Sequence, residues 1–188
     1  MKKRVLSFGA STSSRSINKQ LAWYASQQLQ DVEIDYVELK DFELPLFSVD
    51  LEAEIGHPEA AIRFKEHIRN ADGILISFAE HNGNYTAVFK NLFDWISRVE
   101  KSTWLGKPMF LMATSPGGRG GQGVLEIARK RFPFMDGIIV TEFSLPFFNK
   151  NFDPQEGILN QELLERFDEA KNIFLSSLQK TDLLQDND

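Results

Sequence analysis

Hydrophobic positions along the chain fall into two alternating rhythms. Short, continuously apolar runs occupy residues 4–8, 72–78, 107–114 and 137–143. Runs of that kind, closed by turn residues, are strands buried on both faces of a parallel sheet. Residues 33–39 instead set Ile34, Tyr36 and Leu39 against acids, the pattern of a strand nearer a sheet edge. Between these runs the apolar residues recur every three or four positions. That spacing predicts helices over residues 17–30 with Ser16 as N-cap, over 58–70 with Pro58 in the first turn, and over 86–99 through Val88, Leu92, Trp95, Ile96 and Val99. Further helices are predicted over 124–131 and over 160–178, where Leu163, Phe167, Ala170, Ile173, Phe174 and Leu178 share one face. Residues 41–56 read as irregular because Pro45 interrupts them, and their apolar centre, Leu44-Pro45-Leu46-Phe47, is expected to lie over a site. One domain is expected over 1–180, followed by a polar, disordered tail over 181–188.

Strand and helix alternate about five times without a repeat or a linker. The expected fold is therefore α/β, a doubly wound five-stranded parallel sheet with helices on both faces. Such sheets bind ligands beyond the carboxyl ends of their strands. Three loops at those ends stand out: 9–18, 79–85 and 115–123. The first, Gly9-Ala10-Ser11-Thr12-Ser13-Ser14-Arg15-Ser16-Ile17-Asn18, joins an apolar strand to a helix and carries five hydroxyls. Hydroxyls and the free amides of a helix's first turn suit a phosphate. A GxxxxGK[ST] sequence is absent, and so is GxGxxG, which disfavours a triphosphate on Mg²⁺ and a dinucleotide pyrophosphate and leaves one terminal phosphate. A serine-rich surface turn that merely caps a helix would look the same at this stage. In the second loop Asn82 and Gly83 tolerate unusual backbone dihedrals, so it can lie close against a flat ring. In the third loop Gly117, Gly118, Gly120 and Gly121 gather backbone amides in a small volume, a nest for an anion or a carbonyl oxygen.

Composition narrows the partners. The 188 residues carry a net charge of -6, no cluster of Lys and Arg outweighs it, and Lys2-Lys3-Arg4 is a short basic start that runs straight into a strand, so nucleic acid is not expected as a partner. No apolar run reaches membrane-spanning length, no apolar signal core follows the N-terminus, and a cytoplasmic protein is expected. Cysteine is absent, which excludes disulfides, thiol catalysis and Cys-ligated metals.

These segments together resemble the NADPH-dependent FMN reductase family of flavodoxin-like flavoproteins, over residues 4 to about 143. The first loop is similar to the family's G-S-x-R-x-x-S-x-N phosphate loop, with Ser11, Ser16 and Asn18 on matching positions; Ser13 stands where many members have Arg, and Arg15 lies nearby. Ala79-Glu80-His81-Asn82-Gly83-Asn84-Tyr85, with Lys90-Asn91-Leu92-Phe93-Asp94-Trp95 after it, resembles P-E-[YH]-N-[GR]-[SN]-[YI] and K-N-x-[FLI]-D-W, with Ala79 replacing Pro. Ser115-Pro116-Gly117-Gly118-Arg119-Gly120-Gly121 resembles the S-x-G-x-x-G-G loop that faces the flavin.

The resemblance implies FMN as cofactor and NADPH or NADH as co-substrate. Ser11, Ser13, Ser16, Ile17 and Asn18 would hold the phosphate. Ala79, Glu80, His81, Asn82 and Gly83 would flank the ring on one side, and Ser115, Pro116, Gly117, Gly118 and Gly121 on the other. Hydride transfer to flavin N5 needs no side-chain acid or base, so no catalytic side chain and no metal are expected. Glu80 and His81 are expected to offer main chain to the flavin and to turn their side chains to solvent or a partner subunit. His57 and His67 are expected to be solvated. Arg119 is either a contact for the NADPH phosphate or plain loop surface. The family implies a homodimer or homotetramer formed through the 86–99 helix, and a small-molecule acceptor such as a quinone, an azo compound or a flavin. Two other functions fit the same fold: a flavodoxin-like FMN electron carrier without nicotinamide activity, and a non-enzymatic phospholigand-binding module.

Overall fold

The computed structural model describes residues 2–185, with side chains described through residue 179. In chain order its elements are β1 (Lys3–Gly9), α1 (Ile17–Gln28), β2 (Val32–Tyr36), α2 (Val49–Ile55), α3 (Glu59–Asn70), β3 (Gly73–Phe78), β4 (Glu80–His81), β5 (Asn84–Tyr85), α4 (Ala87–Val99), β6 (Pro108–Thr114), α5 (Gln122–Arg131), β7 (Ile138–Leu145), α6 (Phe148–Asn151), β8 (Phe152–Asp153), β9 (Gly157–Ile158) and α7 (Gln161–Gln185). The main sheet runs β2-β1-β3-β6-β7, and its neighbouring strands pair in parallel throughout. Strand order reverses between β1 and β3, which is the switch point where doubly wound sheets open a crevice.

Strand periodicity divides the core in two. Leu6, Phe8, Ile74, Ile76, Met109 and Leu111 point to the side covered by α3, α4 and α5. Val5, Leu75, Phe110 and Met112 point to the side covered by α1 and α7. Side chains alternate across a strand, so one apolar run feeds both cores. Every residue of β3 and β6 is buried, as befits central strands, while β2 and β7 at the edges stay partly open. Trp95 and Trp104 are fully buried and Phe93 nearly so, and all three lie in the α3–α5 core.

Several boundaries depart from the sequence reading. The strand expected over 33–39 ends at Tyr36, and a 3-10 turn follows at Leu39–Asp41. Residues 41–56 are not wholly irregular: α2 lies within them, started by Ser48 Oγ accepting from the Leu51 amide at 3.1 Å. This helix buries none of its residues, so it leaves no apolar periodicity to read. His67 is half-buried rather than fully solvated; its Nδ1 lies 2.7 Å from Asp35 Oδ2 and its ring stands edge-on to Phe42. His57 is exposed, beside Glu52. Helix α7 continues to Gln185, past the expected end at residue 178, and the rest of the expected tail, 186–188, lies outside the described residues.

Candidate functional site

The loops 9–18, 79–85 and 115–123 follow β1, β3 and β6, three adjacent parallel strands, so all three open on one rim. Side chains bolt them together. Asn18, in the first turn of α1, is only 2% exposed. Its Nδ2 donates to the Thr114 carbonyl at 3.0 Å, and its Oδ1 accepts from Ser77 Oγ at 2.8 Å and the Thr114 amide at 2.9 Å. It ties α1 to the carboxyl ends of β3 and β6. Thr86 caps α4 through its hydroxyl and donates to the Ala10 carbonyl at 2.8 Å, which fixes the second loop to the first. Glu80 Oε2 accepts from the Val124 amide at 2.9 Å, which fixes the second loop to the third. Asn18 is thus a brace, its polar atoms already occupied by protein. Glu80 does not turn to solvent: its carboxylate supplies the N-terminal cap of α5, whose own Gly121 offers no side chain.

In the first loop Gly9 is required by close approach. A Cβ there would stand 2.6 Å from Lys19 Cα, so any larger residue would push α1 off the sheet. Ser11 is buried, and its Oγ accepts from the Ser13 amide at 3.2 Å. Ser16 caps α1 by accepting from the Lys19 amide at 3.3 Å. Thr12, Ser13, Ser14 and Arg15 are exposed, Ser16 and Ile17 half-buried. The amides of Ile17 and Asn18 open a helix with no acidic residue in its first turn. An anion there meets the helix dipole and no carboxylate of that turn. Lys19 is not available for it, because its ammonium lies 2.9 Å from Glu38, whose carboxyl is held below its usual range by hydrogen bonds from Lys40 and Lys19.

The second loop is a tight hairpin. β4 and β5 pair antiparallel across Asn82 and Gly83, which take φ of 52° and 74°. Positive φ at both central residues marks the turn whose twist matches a two-residue hairpin, and Asn-Gly is its commonest sequence. Ala79 is buried at its base; His81, Asn82 and Gly83 are exposed at its tip. Tyr85 packs inward among Phe78, Phe89 and Phe132, and burial pushes its phenol upward from the usual value.

In the third loop Gly117 and Gly118 are exposed, and among the described residues neither amide has a protein acceptor. Their neighbours are anchored: the Phe147 amide donates to the Gly117 carbonyl at 3.0 Å, and the Phe148 amide to the Ser115 carbonyl at 3.1 Å. Ser115 is half-buried, Pro116 exposed and Gly121 buried in the turn into α5. The Phe147 ring, half exposed, lies so close over Gly118 that a Cβ there would meet it at 2.8 Å. Phe147 went unread in the sequence because it follows the last strand, outside the three loops; its signal is the Pro146-Phe147-Phe148 run. Among the described residues no group of three or more His, Cys, Asp or Glu is placed to hold a metal ion.

A parallel sheet in the order β2-β1-β3-β6-β7, with a hydroxyl-rich first loop, an Asn-Gly hairpin and a glycine nest at one rim, defines a flavodoxin-like mononucleotide-binding domain. The chain belongs to the NADPH-dependent FMN reductase family, whose model matches residues 3–152. Among curated relatives, a quinone reductase of Pseudomonas putida is 37% identical over 123 residues, 64% of each chain. A 2-hydroxy-1,4-benzoquinone reductase of a Burkholderia species is 42% identical over 107 residues, 56% of each chain. The matched part thus spans just over half to under two thirds of those relatives' lengths. Among solved structures, the flavoenzyme NAD(P)H:(acceptor) oxidoreductase of Paracoccus denitrificans superposes with a TM-score of 0.74 at 22% identity, covering 96% of this chain and 98% of that one. An FMN-dependent NADH-azoreductase of Bacillus anthracis, solved with FMN, gives 0.61 at 14% identity, covering 95% of this chain and 99% of that one.

Proposed function

We propose that this chain is an NAD(P)H-dependent, FMN-containing oxidoreductase that reduces a small-molecule acceptor of the quinone or azo type. The observation that carries this reading is the bolted rim, with amides at both ends that have no protein acceptor among the described residues: Ile17 and Asn18 on one side, Gly117 and Gly118 on the other. A mononucleotide has an anion at one end and a carbonyl-edged ring at the other, and the two amide groups match those ends in kind. FMN, when bound, supplies the two-electron hydride store that connects a nicotinamide donor to the acceptor.

The protein's own contribution is binding and orientation. The Ser13 and Ser16 hydroxyls and the first amides of α1 hold the phosphate, with Arg15, which forms no ion pair among the described residues, as its nearest cation in sequence. Ser11 and Asn18 keep that loop in shape from below. Ala79 and the main chain of Glu80, His81, Asn82 and Gly83 flank the ring, and Ser115, Pro116 and Gly121 shape the opposite side. The amides of Gly117 and Gly118 would donate to the ring's carbonyl edge and stabilise negative charge there, as preorganised donors do for an oxyanion.

A homodimer or homotetramer through α4 is part of this reading. A hollow of about 620 Å³ between α4 and α5 is lined by Phe93, Ile127, Lys130, Arg131 and Phe134, and Phe134 is 80% exposed. Apolar surface of that kind is commonly covered by a partner. Among the described residues no helix is long and apolar enough to cross a membrane. A cytoplasmic location is part of this reading. The test is a visible spectrum of the purified protein after reconstitution with FMN, followed by rapid mixing with NADPH or NADH. Flavin bands that bleach within the mixing experiment and return on adding a quinone support the reading. A protein that takes up FMN but bleaches only slowly is an electron carrier, and one that never takes it up is neither.

A further inference from the structure

The end of β7 and the residues after it are stitched to the third loop and the strand before it. Thr114 Oγ1 donates to the Leu145 carbonyl at 2.7 Å, Ser144 Oγ to the Gly120 carbonyl at 3.0 Å, and the Phe148 amide to the Ser115 carbonyl at 3.1 Å. Phe147 sits among these stitches with φ of 49°, in the left-handed region that residues with a side chain rarely occupy. Its carbonyl accepts from the amides of Lys150 and Asn151 at 2.8 and 3.1 Å, and Asn151 Nδ2 donates to the Pro146 carbonyl at 2.8 Å. Backbone strain that its surroundings hold in place tends to gather at functional sites.

The consequence of this conformation lies at Gly117. Its carbonyl oxygen accepts from the Phe147 amide at 3.0 Å, the Ser115 hydroxyl at 3.2 Å and the Gly120 amide at 3.3 Å. The Gly117 carbonyl and the Gly118 N–H belong to one trans peptide plane, so they point in opposite directions. Fixing the carbonyl against residue 147 therefore aims the Gly118 N–H away from that residue. Gly118 is exposed, and its N–H has no protein acceptor among the described residues. Donors on the carbonyl also polarise the shared peptide, which strengthens its N–H as a donor.

We propose that Phe147 is a positioning residue: its left-handed backbone aims the Gly118 N–H at the carbonyl edge of bound FMN and so sets how strongly the protein prefers reduced over oxidised flavin. The inference rests on the reading of the chain as an FMN reductase. A hydride from the nicotinamide brings one proton and two electrons to a neutral ring and leaves one negative charge on it. A preorganised N–H therefore binds the reduced ring more tightly than the oxidised one. The difference is read as a midpoint potential, and tenfold in the affinity ratio is about 30 mV for a two-electron couple.

The test measures that potential by equilibration with a reference dye, in FMN-loaded wild type, Phe147→Val and Phe147→Asn. A β-branched side chain resists positive φ and pulls the amide off the Gly117 carbonyl, whereas asparagine tolerates positive φ and keeps the amide there. Phe147→Val should lower the reduced-to-oxidised affinity ratio about tenfold, a fall of about 30 mV. Phe147→Asn should keep the ratio to within about threefold. In flavin-free protein, deuterium exchange at the residue-147 amide should be fast in Phe147→Val and slow in the other two. Ser115→Ala removes another donor to the same carbonyl and leaves the backbone alone; it should lower the ratio about threefold, and it carries the test if Phe147→Val does not fold. A purely structural role would weaken both redox states alike. An unchanged ratio in Phe147→Val, or in Ser115→Ala where only that variant folds, overturns the proposal. So does a Phe147→Asn ratio that falls as far as that of Phe147→Val, which would put the effect in the ring. A wild type that never takes up FMN overturns the reading beneath it, and the proposal with it.

Discussion

Asn18→Ala separates a brace from a ligand contact. In the folded protein Asn18 makes three hydrogen bonds, to the Thr114 carbonyl, the Thr114 amide and the Ser77 hydroxyl, at 3.0, 2.9 and 2.8 Å. All of them are buried. Truncation deletes the three together and leaves the Thr114 amide and carbonyl without partners. The two stranded Thr114 groups cost about 1–3 kcal/mol each and the Ser77 bond about 1 kcal/mol, so the sum is about 3–7 kcal/mol. The Ser77 hydroxyl can rotate to a new acceptor, which keeps the sum toward the lower end. For a domain of this size, about 2–4 °C of Tm is lost per kcal/mol, which predicts a fall of about 10 °C. The assay is thermal unfolding followed by circular dichroism on protein stripped of FMN. A phosphate ligand would leave the flavin-free protein's Tm unchanged and weaken only FMN binding. A fall of less than about 3 °C, accompanied by a large loss of FMN affinity, would therefore refute the brace.

Two further expectations concern the other bolts and the buried phenols. Glu80→Ala removes the acceptor for the Val124 amide at the start of α5 and should cost about 1 kcal/mol of stability with several-fold weaker FMN binding; Glu80→Gln, which keeps a side-chain oxygen there, should retain most of both, and equal losses in the two variants would show that charge rather than hydrogen bonding holds the loop. The chain's three tyrosines, Tyr24, Tyr36 and Tyr85, all have phenols raised by burial, Tyr36 from 10.0 to about 12. A raised folded pKa means stability that is complete below pH 10 and is lost as pH climbs from 10 toward about 12, because the unfolded chain ionises first. Tyrosinate absorbance in native protein should lag that in urea across this window, and Tyr36→Phe should flatten the alkaline fall in urea midpoint.

Much of the rim was legible because its chemistry is local. Gly9 and the hydroxyls after it, Asn82-Gly83 and the glycines from 117 to 121 announce turns by residue type alone. The buried strands were legible for a similar reason, since a run such as Ile74-Leu75-Ile76 has no other comfortable setting in water. The hairpin was there to be read as well, in Asn82-Gly83 flanked by residues that can pair.

Residue order determined a wound sheet, an anion-friendly first loop and two glycine-bearing loops able to meet it. Which groups remain free for a ligand was decided only by tertiary structure. Asn18 and Glu80 look like ligand residues in the sequence, yet long-range partners 96 and 44 positions away occupy them. Asn91 and Trp95 look like helix packing, yet both donate to the Pro45 carbonyl, 46 and 50 positions earlier. A side chain's hydrogen-bonding capacity is written in its type, whereas its partner is fixed by which backbone groups the fold brings within about 3 Å. Helix α2 shows the converse limit: a segment with no buried face leaves no apolar rhythm, and contacts with α4 place it.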